Sequence, residues 1–210
     1  MAIGVAVSIF ELNLDDNFWV ITSAYMGVAI FYSLLTITHK HVLLTFFSIL
    51  YSTVTVYLLI NAIVGDRYIG AYYWIDDIYQ VVTIVLGIIY LLLVLQFRKT
   101  WNNPLVGVLT LVGSAAILWA SFTQVLDSSS LLVELLYFGI LTAGVVLSVR
   151  MKSRIILVIT TIFLIVHVSY ITSKYFANSL GWPISLVLLG FVFIGLGYGS
   201  VQINKKYITN

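Results

Sequence analysis

Seven long apolar stretches dominate the chain and restrict the folds open to it more than any other feature. Each is close to the length of about 20 residues that a helix needs to cross a ~30 Å hydrocarbon core. They are residues 18–38, 42–64, 78–97, 104–126, 131–149, 155–173 and 183–203. Strands of a membrane barrel would instead alternate apolar and polar residues over about ten positions. The sequence therefore predicts an all-α fold, a bundle of seven transmembrane helices.

The composition agrees with this prediction. Hydrophobic residues make up 61% of the 210 positions and charged residues 9%, whereas about a quarter of the residues in soluble domains are charged. We therefore expect a polytopic integral membrane protein surrounded by a lipid bilayer. The net charge of +2 is small, and the basic residues are dispersed, so the sequence does not favour nucleic acid as a partner.

All eight acidic residues and eight of the ten basic residues separate to opposite ends of the seven stretches. The acidic residues are Glu11, Asp15, Asp16, Asp66, Asp76, Asp77, Asp127 and Glu134. The basic residues at the other end are Lys40, Arg98, Lys99, Arg150, Lys152, Arg154, Lys205 and Lys206. Because cytoplasmic connections carry an excess of Lys and Arg, we expect residues 1–17 outside or at the outer interface, residues 18–203 as the membrane domain, and residues 204–210 as a cytoplasmic tail.

Seven spans can be arranged as three, one linker and three, and a shift of 112 positions aligns Tyr25 and Gly27 with Tyr137 and Gly139. This predicts a possible 3+1+3 repeat. Such an architecture resembles the sugar-transporter and sorting-receptor group with the proline-glutamine loop motif. The chain has no Pro-Gln dipeptide, so no residue role carries over. The ending from Gly181-Trp182-Pro183 onward resembles the last span of many prokaryotic membrane proteins, which places the chain in a prokaryotic plasma membrane.

Two ionisable residues inside predicted spans are the main candidates for a site. Glu134 lies one turn inside the outer end of the fifth span, and His167 lies roughly 10 Å below the outer end of the sixth. Tyr137 and Tyr170 follow them at i+3, which gives each helix a polar stripe. Such groups are costly in hydrocarbon and mark functional sites. The pattern predicts a proton-sensitive pair in an outward-facing cavity. The alternative is that His167 bridges two helices through hydrogen bonds while Glu134 reaches water.

Two pairs of adjacent acids occur near the outer side, Asp15 with Asp16 and Asp76 with Asp77. Carboxylates concentrated at an opening attract cations, so they form a candidate outer mouth. Alternatively, acids remain there simply because translocation excludes bases, and the aromatic segment before Asp76 anchors the chain at the headgroups. Two adjacent carboxylates could hold a hard cation with help from carbonyl and water oxygens, but an Asp-Asp pair alone is weak evidence, and we assign no metal.

Gly195 and Gly199 form a small-x-x-x-small face on the seventh span, which allows another backbone to approach closely. The fourth span, with Gly113, Ser114 and Ala120, is the preferred partner within the chain. A second subunit of the same protein or another membrane protein is the alternative partner.

No catalytic or cofactor motif is present, and the sequence contains no cysteine. A pairing of Ser114 with His167 lacks the flanking pattern of rhomboid-type proteases and a third orienting group, so we expect no enzymatic activity and no cofactor. The best prediction is a transporter or channel for a small solute or cation. The alternative is a non-catalytic structural or assembly subunit of a larger membrane complex.

Overall fold

The computed structural model describes residues 18–65, 72–128, 130–176 and 182–208. In these ranges the chain is all-helical, with 92% of it in helix and no strand, which confirms the all-α prediction. The helices are α1 (Phe18–His39), α2 (Val42–Gly65), α3 (Tyr72–Phe97), α4 (Leu105–Asp127), α5 (Leu131–Arg150), α6 (Arg154–Ile171) and α7 (Trp182–Ile203).

Most helix ends fall within two residues of the predicted spans. There are two differences. Helix α3 begins at Tyr72, six residues before the predicted span, so Asp76 and Asp77 lie in its first turns. Helix α6 ends at Ile171 and continues as a wider π-helical turn over Thr172–Phe176. A second π-helical turn, Asn204–Ile208, extends α7.

The first six helices are long and apolar enough to cross a membrane. Helix α7 coincides with the seventh predicted span, but it is not among these six. Large apolar side chains point outward along the helices, and Ile37, Leu132 and Leu135 are each more than 70% exposed. Water would disfavour so much exposed apolar surface, whereas lipid accepts it. These properties fit an integral membrane protein.

Two short turns share one backbone feature. Lys40, between α1 and α2, and Lys152, between α5 and α6, have φ values of 47° and 48°. Left-handed residues commonly end helices because they turn the backbone away from the helix axis. At the second turn, the Ser153 hydroxyl accepts a hydrogen bond from the Ile156 amide and begins α6. Each pair of helices is thus connected by a tight reversal.

The chain divides into two compact units, and helix α3 contributes to both. The first contains the α1–α2 hairpin, where the Ser33 and Ser48 hydroxyls are hydrogen-bonded at 2.8 Å. The rings of Tyr32 and Tyr51 stack there with centroids 5.4 Å apart.

The second unit comprises residues 83–92 of α3 and the chain from Gly107 onward. Helices α3 and α4 approach so closely at Gly87 and Gly113 that a Cβ atom on Gly87 would lie 2.8 Å from the Gly113 carbonyl oxygen. Gly144 of α5 likewise lies against Thr160 of α6. A cluster of Leu118, Phe122, Val125, Tyr137 and Leu141 forms the apolar core of this unit. The candidate site borders this core.

Candidate functional site

The site begins at the acidic end of the α5–α6 pair, where Glu134 is held by two side chains from the turn after α6. Lys174 Nζ donates a hydrogen bond to Glu134 Oε1 at 2.7 Å and forms an ion pair with it. The Tyr175 hydroxyl lies 3.1 Å from each of the two carboxylate oxygens. Glu134 is 4% exposed, whereas the Lys174 side chain is 30% exposed. The carboxylate is therefore buried, while its lysine partner is partly exposed.

The π-helical turn positions these two partners. Adjacent residues of a regular α-helix point in directions about 100° apart, yet Lys174 and Tyr175 both reach Glu134. Both residues belong to the π-helical turn Thr172–Phe176. Such π-helical turns are frequent at functional sites.

Aromatic rings surround the ammonium group of Lys174. Lys174 Nζ lies 5.5 Å from the ring centroids of both Tyr170 and Tyr175, within the range of cation–π attraction. Tyr170 also packs edge-on against Phe122 of the apolar core. The lysine is thus oriented by one carboxylate and two rings.

His167 lies deeper along the same helix face. It belongs to the predicted polar stripe. At 1.5 Å per residue, it lies two turns, or about 10 Å, from Lys174 along the helix axis. The side chain is 0% exposed, and neither ring nitrogen has a hydrogen-bond partner among the described residues. Its ring meets that of Tyr137 edge-on, with centroids 4.8 Å apart. The Tyr137 hydroxyl donates to the Leu118 carbonyl oxygen at 3.3 Å, not to His167.

The structure therefore brings Glu134, Tyr137, His167 and Tyr170 into one cluster. The alternative from the sequence was a His167 that bridges two helices and a Glu134 that reaches water. Among the described residues His167 makes no hydrogen bond. Glu134 is buried against Lys174 instead of extending into water. A carboxylate beside a basic group, together with an imidazole whose nitrogens make no hydrogen bond in the described structure, can bind and release protons. The cluster has the components of a proton-binding site.

The predicted acidic mouth is only partly within the described structure. Asp15 and Asp16 lie outside the described residues, and for Asp76 only the backbone is described, in α3. Asp77 is exposed near the start of the same helix. Among described residues, no group of three or more His, Cys, Asp or Glu could hold a metal ion. The mouth stays a prediction.

The glycine face of α7 has no partner in the described part of the chain. A Cβ atom added at Gly195 or Gly199 would meet nothing within 4 Å. The preferred interpretation, close packing of this face against α4, is therefore not what the structure shows. Gly113 of α4 packs against Gly87 of α3 instead.

Ser114 and His167 do not form a nucleophile–base pair in the structure. The Ser114 hydroxyl lies 2.7 Å from the Thr110 carbonyl oxygen and 3.2 Å from that of Leu111. These are carbonyls of its own helix, a common arrangement for hydroxyl groups in apolar helices.

Neither Lys174 nor Tyr175 was predicted from the sequence as a partner of Glu134, and the reasons differ. Lys174 lies at i+7 from His167 and so on the same stripe as Tyr170, but it was not predicted as an ion-pair partner. A signal existed, because Lys174 and Arg67 are the only basic residues at the acidic end. Tyr175 gave no signal, because its position depends on the π-helical turn.

Comparison with known proteins adds no identification. The chain matches no protein-family model, and the searches of curated proteins and of solved structures found no match.

Proposed function

We propose that the protein is a small transporter or channel in which Glu134 and His167 form a proton-sensitive pair. Tyr137 and Tyr170 form the walls of the site. The transported species is a small solute or cation that enters from the acidic end. We further propose that the protein crosses a prokaryotic plasma membrane seven times, with its N-terminus outside and its C-terminus in the cytoplasm.

The observation that carries this proposal is the unsatisfied imidazole of His167. Buried polar groups are nearly always hydrogen-bonded, because leaving one unpaired costs about 1–3 kcal/mol. His167 is fully buried, and neither of its ring nitrogens has a hydrogen-bond partner in the part of the chain that the structure describes. An apolar residue would fill this position at lower cost, which favours a functional reason for the histidine.

The neighbouring ion pair supplies a way to couple charge to opening. Glu134 has Lys174 as its partner in the structure. A proton on His167 would create a second cation competing for the same carboxylate, and a proton on Glu134 would remove the attraction for Lys174. Either event releases Lys174, whose side chain is already partly exposed. The exchange of partners therefore opens the cluster toward the acidic end.

The acidic end would also concentrate cations. Asp15, Asp16, Asp76 and Asp77 lie toward this end in the sequence, and carboxylates at an entrance raise the local concentration of cations. This contribution weakens as ionic strength rises, since exposed charges are screened within about 10 Å at 0.1 M salt.

The test is flux in liposomes containing the purified protein and an internal pH-sensitive dye. An imposed pH gradient, with sodium and potassium offered in turn, should drive dye-reported proton movement in the wild type. Glu134→Gln and His167→Leu should each reduce this flux at least tenfold. Asp127→Asn and His39→Gln are matched controls, because they remove an acid and a histidine outside the cluster.

Two outcomes would end the proposal. One is wild-type protein that moves neither protons nor any of the cations. The other is full flux in both cluster variants, with intact folding verified by gel filtration. Loss of flux in the controls as well would equally contradict a role specific to the cluster.

A second function, as a structural or assembly subunit, is favoured by the surface of α7. Gly195 and Gly199 have open space above them, and Phe191 and Ile194 beside them are 69% and 71% exposed. Small residues next to large ones allow close helix association in membranes. This proposal predicts that membrane partners or a second copy co-purify in mild detergent and are lost in Gly195→Leu. A monomer without partners would contradict it.

We also propose that the chain contains the 3+1+3 repeat. Lys40 and Lys152 lie 112 positions apart and share the left-handed conformation. The helices that follow them, α2 and α6, begin at residues 42 and 154, the same distance apart. This agreement of turn geometry with the sequence shift supports a duplicated helix pair.

A further inference from the structure

A cavity of about 260 Å³ lies in the second unit, and none of Glu134, Tyr137, His167 and Tyr170 lines it. Its walls come from α3, α4, α5 and α6. Leu147 of α5 and Ile156 of α6 lie at one end, within one turn of Arg150 and Arg154 respectively. The cavity therefore reaches toward the basic end of these helices.

The wall of the cavity is almost entirely hydrocarbon. Eight of its ten residues have no polar side-chain group, and the exceptions are Ser114 and Thr160. The Ser114 hydroxyl is within hydrogen-bond distance of carbonyls of its own helix. Dry apolar cavities of about 150 Å³ already bind benzene, so this space accommodates a longer hydrocarbon.

The cavity opens sideways. Ile140 is 37% exposed and Ala143 is also exposed, and both line it on α5. In a membrane-spanning helix pair, an opening of this kind faces the acyl chains of the bilayer. An acyl chain can enter without leaving hydrocarbon.

Charge indicates which lipid the cavity prefers. The reversal between α5 and α6 carries Arg150, Lys152 and Arg154, and all three are exposed. The acidic residues of the sequence lie toward the other end of the spans. Basic pockets between membrane helices bind anionic headgroups, and each Lys or Arg near the surface adds to the attraction. A phosphate at this turn would lie above the cavity that holds its acyl chain.

We propose that this cavity is a binding site for an anionic phospholipid, with one acyl chain between α4, α5 and α6 and the phosphate against Arg150 and Lys152. The site combines an apolar cavity with a cationic turn. A neutral lipid would occupy only the cavity, and a soluble anion would contact only the turn. It lies on the opposite end of the α5–α6 pair from Glu134 and does not depend on the transport proposal.

The test is native mass spectrometry of delipidated full-length protein with added phosphatidylglycerol or phosphatidylcholine, both carrying palmitoyl and oleoyl chains. We expect phosphatidylglycerol to bind at one copy per protein and more tightly. Arg150→Gln and Lys152→Gln should each weaken it about fivefold and leave phosphatidylcholine unchanged. Lys40→Gln is the matched control, since Lys40 has the same backbone conformation in the other helix turn.

The acyl-chain half of the site has its own variants. Ala143→Phe should fill the cavity and weaken both lipids at least tenfold, whereas the adjacent exposed Thr142→Phe should not. If Ala143→Phe does not fold, Ser114→Leu fills the same space from α4.

Equal binding of the two lipids by the wild type would overturn the proposal. Undiminished binding in the folded cavity-filling variant would do the same, as would tight binding of a neutral isoprenoid that displaces phosphatidylglycerol.

Discussion

At the residue scale, Glu134 is the group whose surroundings are most specific. Its carboxylate interacts with Lys174 and Tyr175 while being almost fully buried. Removing one member of such a pair leaves the other without its partner, which is costlier than removing both. Single and double substitutions therefore distinguish the ion pair from its surroundings.

We expect Glu134→Gln and Lys174→Gln each to destabilise the folded protein, and the double variant to lose less than the sum of the two. The expected coupling energy is small but measurable, because the Lys174 side chain is 30% exposed and water screens its end of the pair. The measurement is a double-mutant cycle on thermal unfolding in detergent. Additive losses would mean that the 2.7 Å contact contributes nothing.

Tyr175→Phe removes the hydroxyl that lies 3.1 Å from both carboxylate oxygens. Tyr175 is 40% exposed, so water competes for this hydrogen bond, and thermal stability should fall measurably but modestly. Tyr198→Phe is the control, because its hydroxyl bonds only the exposed Gln202 in the described structure. Equal stability of the two variants would argue against the assigned role of Tyr175.

His167→Leu should have the opposite effect on stability. Both ring nitrogens lack a hydrogen-bond partner within the described ranges. Replacing an unsatisfied buried polar group by an apolar one of similar size is neutral or stabilising. The variant should unfold at the same or a higher temperature while losing proton flux. A large drop in melting temperature would show that His167 has a structural partner in the membrane.

At the element scale, the helix contacts rest on positions where a side chain has no room. A Cβ atom at Gly87 would lie 2.6 Å from Ile117 Cγ1 and 2.8 Å from the Gly113 carbonyl. We expect Gly87→Ala to cost about 1–3 kcal/mol through overpacking. Gly139→Ala, where nothing lies within 4 Å, should be neutral or stabilising because alanine favours helix. Thermal unfolding of both variants is the measurement, and equal effects would contradict the close approach of α3 and α4.

The helices themselves could be predicted from the sequence, because long apolar runs bounded by charges leave few other possibilities in lipid. Which glycines of neighbouring helices pack against each other could not be predicted. Gly195 and Gly199 have the spacing of a packing face, yet the structure uses Gly87, the one glycine of its helix. Spacing along one helix does not determine which neighbour it meets, since that depends on the whole arrangement of side chains around both.

The site was predictable to the extent that helix periodicity determines it. Tyr137 and Tyr170 follow Glu134 and His167 by one turn, and the short α5–α6 reversal brings the two stripes together. The partners of Glu134 depend on the π-helical turn at Thr172–Phe176. No pattern in the sequence marks this change of helix geometry.

At the scale of the whole molecule, one physical rule underlies the account. Ionised groups are excluded from hydrocarbon, so the ends of the helices carry the charges, and the sign of the charge differs between the two ends. The positive end is expected in the cytoplasm. Glu134 and Lys174 would then open to the outside, and the turn of Lys152 would face the cytoplasmic leaflet.

The most direct test of this arrangement is single-cysteine labelling in intact cells, which needs no background removal because the sequence has no cysteine. An impermeant maleimide should label Ser128→Cys, next to the Glu134 cluster, before lysis. It should label Ser153→Cys, at the basic turn, only after the cells are opened. Labelling of Ser153→Cys in intact cells, or of both positions from the same side, would contradict the orientation and place the cluster away from the outer surface.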